Sequence, residues 1–218
     1  MGQIADVLQG RGDTDEALRI RREEQLPVYE RLGDVRSRAV TMGKIADILQ
    51  GRGETDEALR IRREEQLPVF ERLGDVRSRA VTMGQIADIL QGRGETDEAL
   101  RIHREQLPVY DRLGEVRSRA VTLLRIAGAL MAAGGLEDGR IQEIADALSE
   151  SFNIARQLGL ADGIGFVGVQ LAQVLVRGGR RTETLGVLEL AEAAFQKLGS
   201  AAGITQVASL REEIRGTE

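Results

Sequence analysis

The chain has no cysteine and no tryptophan, three prolines and one histidine in 218 residues, and aromatics make up only 3%. Each shortage excludes something. Without cysteine there is no disulfide and no thiolate metal site, which fits a cytoplasmic setting. So few aromatics argue against a β-sandwich or barrel, while abundant Ala, Leu, Arg, Glu and Gln favour helix. A net charge of −5 gives no electrostatic reason to expect nucleic acid. The first residues, "MGQIADVLQGRGD", lack the basic and apolar regions of a signal peptide. Gly2 does not open a myristoylation motif, because Asp6 stands where a Ser or Thr is needed. The longest apolar run, Ile164 to Val176, includes Gln170 and Gln173 and is too short to span a bilayer, so no membrane association is expected.

Repetition fills the space these absences leave. Residues 1–41 and 42–82 differ at four positions, Gln3/Lys44, Val7/Ile48, Asp13/Glu54 and Tyr29/Phe70. A third copy, 83–122, is one residue shorter, having lost a Glu before its proline. Looser copies begin at Leu123 and near Leu160, with "RIAGALMAAGG" and "QLAQVLVRGG" keeping the small-apolar skeleton. Each copy divides into two helices. Asp75 is placed to N-cap a helix from about Val76 to Gln91, Gly92 and Gly94 stop it, and "DEALRIHREQLPVYDRL" forms a longer second helix ending at Gly114.

The stretch "IADILQGRGETDEAL" (Ile45 to Leu59) resembles the tetratricopeptide repeat (TPR) signature, with Ile45, Ala46, Leu49, Gly53 and Ala58 in its places. The same frame fits nearly the whole chain, although the fourth and fifth copies lack the final alanine and "GLEDGRIQEIAD" adds about four residues. The period of 40 or 41 rather than 34 is similar to the long TPR subclass of kinesin light chains, of GoLoco-bearing polarity scaffolds and of bacterial signalling arrays. This resemblance implies an all-α, right-handed TPR-type α-solenoid. Its expected units are 1–33, 34–74, 75–114, 115–159 and 160–199, with 200–218 as a capping helix. Unit one lacks the front of its first helix, so residues 1–41 are expected to fray or to associate with another chain.

The three prolines, Pro27, Pro68 and Pro108, all fall inside second helices, where each reads as a kink rather than an end. Leu18–Leu26 and Leu59–Leu67 are eight apart, whereas Leu100–Leu107 are seven apart. Eight residues would rotate the second leucine by roughly 80–100° unless the helix widens. A one-residue π-type turn is therefore expected before Pro27 and Pro68, and none before Pro108.

Little in the chain points to catalysis. "GIGFVG" (Gly163 to Gly168) matches a dinucleotide pattern but falls within a helix, where close packing explains it. His103 replaces Arg21 and Arg62 of the sister copies, which disfavours a base or ligand. Tyr29, Phe70 and Tyr110 read as packing, and runs such as "RIRREEQ" as solvated faces with pairs like Arg60–Glu64. No enzyme activity, cofactor or metal is expected.

The informative surface is the concave face, which in TPR proteins is lined by first helices. The resemblance puts Gln3, Lys44, Gln85 and Arg125 in one row and Asp6, Asp47 and Asp88 in a second. Gly43 and Gly84 lie beside them, and Arg38, Arg79 and Arg119 stand near the helix entrances. Three readings stay open for these rows. They could pair between neighbouring units, line a groove for an extended partner segment, or serve self-association as a spacer. On the groove reading the glycines leave room for a ligand backbone, and leucine at Gly43 and Gly84 should block a partner without changing the melting behaviour.

Overall fold

The computed structural model describes residues 2–136 and 139–216, and every regular element among them is helical. Met1, Glu137, Asp138 and the last two residues of the expected cap lie outside the described residues. The helices fall into two compact bodies, Met1–Glu95 and Thr96–Glu218.

In the first body, α1 (Gly2–Arg11) is followed by α2 (Thr14–Arg19), a π-helical segment Ile20–Gln25 and α3 (Leu26–Leu32). Then come α4 (Val35–Gly51), α5 (Thr55–Arg60), a second π segment Ile61–Gln66, α6 (Leu67–Leu73) and α7 (Val76–Gly92). The second body holds α8 (Thr96–Leu113), α9 (Val116–Ala132), α10 (Ile141–Gln157), α11 (Ala161–Arg177), α12 (Arg181–Leu198) and α13 (Ala201–Gly216).

The helix boundaries follow local chemistry. Asp34 and Asp75 accept the backbone N–H of Ser37 and Ser78 at 2.9 and 3.0 Å, capping α4 and α7. Gly33, Gly74 and Gly114 end the second helices with φ of 65°, 64° and 67°, a left-handed turn that glycine adopts without a Cβ clash.

The expected difference between repeats is present. Leu26 donates its backbone N–H to the carbonyl of Arg21, and Leu67 donates to Arg62, each five residues back. One extra residue is thereby absorbed before Pro27 and Pro68. In α8 no such segment occurs, and Pro108 sits within a continuous α-helix. All three prolines lie inside chain that stays helical to Leu32, Leu73 and Leu113.

Side chains at signature positions build the core. Ile45, Ala46 and Leu49 of α4 and Ile86, Ala87 and Leu90 of α7 are buried, as are Ala58 and Ala99. In the second body Leu100, Ile126, Leu130, Ile144, Leu148, Phe152, Leu171 and Leu175 form one cluster. A second cluster joins Leu188 and Phe195 to Val207, Leu210 and Ile214 of α13, so that helix seals α12 and turns a polar face outward. "GIGFVG" lies within α11 as expected: a Cβ on Gly165 would stand 2.7 Å from the Phe195 ring, and one on Gly168 3.0 Å from Phe152. On α1 the helical residues Ile4 and Val7 are 57% and 53% exposed, whereas their counterparts Ile45 and Ile48 are buried.

Candidate interaction surface

The sequence-derived rows are heavily interconnected. Lys44 donates to both carboxylate oxygens of Asp6 at 2.8 Å, bridging one repeat to the next. Arg21 donates from Nη2 to Asp6 at 2.7 Å and to Gln9 at 2.9 Å. One repeat on, Arg62 reaches Asp47 at 2.5 Å and Gln85 at 2.7 Å. The Lys44 hydrogen bond first, and the Arg21 hydrogen bond second, hold the Asp6 carboxyl below its ordinary value near 3.8. Asp88 and Arg125 are engaged as well. Gln3 is exposed on α1.

The entrance arginines tie each second helix to the following first helix. Arg38 meets Glu30 and Arg79 meets Glu71, both at 3.1 Å, and Arg119 meets Asp111 at 2.6 Å. Arg119 also contacts Glu150. Outside the rows, Arg52 pairs with Asp15 and Arg93 with Asp56, the same contact one repeat apart. Pairing within the solenoid therefore accounts for much of this charge.

Three expectations need correction. The sequence pattern puts Arg21 and Arg62 on a solvated face, yet they are 0% and 1% exposed. Burying a guanidinium is costly unless carboxylates and amides receive it, which is what Asp6, Asp47, Gln9 and Gln85 do. A sequence signal for this existed: Ala99, His103, Gln106 and Tyr110 recur at spacings of four, three and four, a single helix face, and all are buried. His103 fills the arginine's place, with Nδ1 2.9 Å from Gln106 Oε1, and Gln106 Nε2 is 3.3 Å from the Tyr110 hydroxyl.

The second correction concerns Gly43. The room above it is taken by this chain, since a Cβ there would stand 2.2 Å from Nε2 of buried Gln66. Gly2 meets Gln25 in the same way, at 3.1 Å. Third, it follows that leucine at Gly43 would disturb the fold and not merely a ligand. Gly84 is buried too.

Two cavities open on this surface within the first body. One, of about 170 Å³, is lined by Arg21, Gln25, Tyr29, Arg36, Ser37 and Lys44 with neighbouring apolar atoms. The other, of about 220 Å³, is lined by Gln66, Phe70, Arg77, Ser78 and Gln85, together with Lys44 and Asp47. Gln25, Tyr29, Arg36, Ser37 and Lys44 become Gln66, Phe70, Arg77, Ser78 and Gln85 on adding one 41-residue period. The surface thus repeats its concavities as well as its charges.

With antiparallel pairs, left-handed glycine turns and a recurring first-helix surface in view, solved structures give the comparison. Nearly identical TPR-like repeats of a kinesin light chain-like protein from Podosopora anserina match with a TM-score of 0.69 and 19% identity, over 92% of this chain and 95% of that one. The fold is that of the TPR-like repeat proteins. BtubC (BKLC) from P. vanneervenii matches with a TM-score of 0.62 at 16% identity, over 98% of this chain and 77% of its own. A Rap protein solved in complex with competence and sporulation factor matches with a TM-score of 0.65 at 11% identity, over 98% of this chain and 63% of its own. By sequence, no family model and no curated protein matches the chain. Among the described residues no His, Cys, Asp or Glu cluster could hold a metal ion, and no helix is long and apolar enough to cross a membrane.

Proposed function

We propose that this chain is a non-catalytic protein-interaction module, a scaffold or sensor part of a cytoplasmic protein, which takes an extended partner segment along its first-helix face. The observation that carries the reading is the pair of cavities related by one repeat. A ligand in extended conformation presents side chains at intervals, and a surface with periodic pockets suits it better than it suits a compact ligand. Lys44, Asp47 and Gln85 of the two rows line those pockets, so charges of both signs are within reach of backbone amides. The Rap protein complexed with competence and sporulation factor offers a precedent for partner binding on this fold.

The test is selection of random linear dodecapeptides on the immobilised full chain. Isolated binders that compete with one another, and that lose affinity when Ser78→Trp fills the second cavity, support the reading. Failure to isolate any binder, or binders indifferent to that substitution, overturns it.

A second reading has its own observation. Ile4 and Val7 are exposed where Ile45 and Ile48 are covered. Self-association through α1 would cover them, and light scattering across a concentration series tests this. Oligomers abolished by Ile4→Glu favour it, and a constant monomer mass removes it.

A further inference from the structure

The two cavities are alike in position but not in chemistry, and the difference points to a ligand group. In the smaller one Arg21 is fully buried. Its Nη2 is used by Asp6 and Gln9, while Nε and Nη1 have no hydrogen-bond acceptor. Gln25, also buried, has an Oε1 with no donor. Buried polar groups of this kind cost free energy until something meets them. What meets both must offer an acceptor to the guanidinium and a donor to the carboxamide.

Charge narrows the choice. Arg21, Arg36 and Lys44 line the cavity, and the carboxylates facing them are Asp6, on Arg21 and Lys44, and Asp75, on Arg36. Three cations against two anions leave one positive charge uncompensated. In the larger cavity Gln85 and Phe70 hold the places one period on from Lys44 and Tyr29, and Asp47 joins Lys44 and Arg77 in the lining. A carboxylate therefore lines the larger pocket, whereas none is among the described residues lining the smaller one.

We propose that the cavity formed by Arg21, Gln25, Arg36 and Lys44 binds a carboxylate together with the backbone N–H adjoining it. An aspartyl or glutamyl residue of a partner segment provides this pair of groups, and so does an acylated chain terminus. The proposal deepens the groove reading by naming what its first pocket selects. The carboxylate takes Arg21 and Lys44, and the N–H takes Gln25 Oε1.

The experiment is NMR titration of the full chain at neutral pH, following the Arg21 Nε–H resonance. Three probes are used: N-acetyl-aspartate N-methylamide, its asparagine counterpart, and N-acetyl-alanine for a terminal carboxylate. Saturable shifts with either acid, at least fivefold weaker with the asparagine compound, are expected. The tighter acid identifies the source of the carboxylate. Lys44→Gln, which installs the residue of the next repeat, should remove the preference for acid over amide. Equal response to acid and amide, or no response to any probe, overturns the proposal. If peptide selection yields binders while the probes fail, the groove reading stands without this site. If the probes bind and no peptide does, the site stands and the groove reading falls.

Discussion

The Gln66 carboxamide lies against the α-carbon of Gly43, and no side chain can be added to that glycine without moving it. Gln66 is buried and within 3.4 Å of Arg62, so it has little freedom to retreat. Overpacking of this kind costs about 1–3 kcal/mol, against roughly 1 kcal/mol that alanine gains over glycine in a helix. Gly43→Ala is expected to lower stability, and Gln66→Ala in the same chain to relieve it. At Gly128, in the middle of α9, a Cβ meets nothing within 4 Å, so Gly128→Ala should stabilise by up to about 1 kcal/mol. Urea melts of the three variants beside the unaltered chain check both signs. A Gly43→Ala protein as stable as Gly128→Ala would show that Gln66 yields freely.

The π segments predict an asymmetry between deletions. Removing Glu65 deletes the residue that the wide turn absorbs, and leaves Leu59 and the following leucine seven apart, as in α8. The helix downstream keeps its facing. In α8 there is no wide turn to absorb a loss, so removing Glu105 rotates everything after it by about 100°. Tyr110 and its neighbours would leave their buried face. Thermal melts should show a small shift for the Glu65 deletion and a large one, or no folding, for the Glu105 deletion. Similar losses in both would mean that the π segment has a role beyond taking up one residue.

That asymmetry was legible from leucine spacing alone, because helical phase is a property of sequence separation. The glycine turns, the Asp75 cap and the role of "GIGFVG" were legible for the same reason: each depends on near neighbours or on a repeat seen several times. Arg21 and Arg62 were not. An arginine beside two glutamates on a helix reads as solvated, and only the packed first helix reveals that Asp6 or Asp47 meets it from a separate element. The same holds for Gln66, whose partner is a hydrogen atom on Gly43.

Asp47 illustrates the consequence. Half-exposed, it resembles a free groove carboxylate, but its partner Arg62 is 1% exposed. Asp47→Ala leaves a buried guanidinium with Gln85 and a long contact to Gln66, and Arg62 Nε already has no acceptor. A loss of about 1–3 kcal/mol is expected. Replacing the arginine as well, in Arg62→Met with Asp47→Ala, removes the charge that needed a partner, so the double variant should be more stable than Asp47→Ala alone. Denaturant titration of the three proteins decides it. If the double variant is the least stable, the arginine contributes through contacts other than its ion pair.

Acid should weaken the first body through identifiable carboxylates. Asp75 is held below its ordinary value near 3.8, chiefly by the backbone N–H of Ser78, and Asp34 by the Ser37 hydroxyl first and the Ser37 backbone N–H second. Asp6 is depressed by Lys44 and then Arg21. All three prefer the charged form when folded. Their contribution is therefore complete above about pH 4–5 and fades as pH falls through the lowered folded values. Melting temperature should be flat from neutrality to about pH 5 and drop steeply below about pH 4. Asp6 is half-exposed, so its share should shrink in high salt, whereas the two caps act through hydrogen bonds over a short distance and should persist. Asn still caps a helix without a titrating proton. Asp34→Asn with Asp75→Asn should accordingly flatten the acid limb more than Asp6→Asn does in half-molar salt, and an unchanged limb in the cap variant would move the acid sensitivity elsewhere.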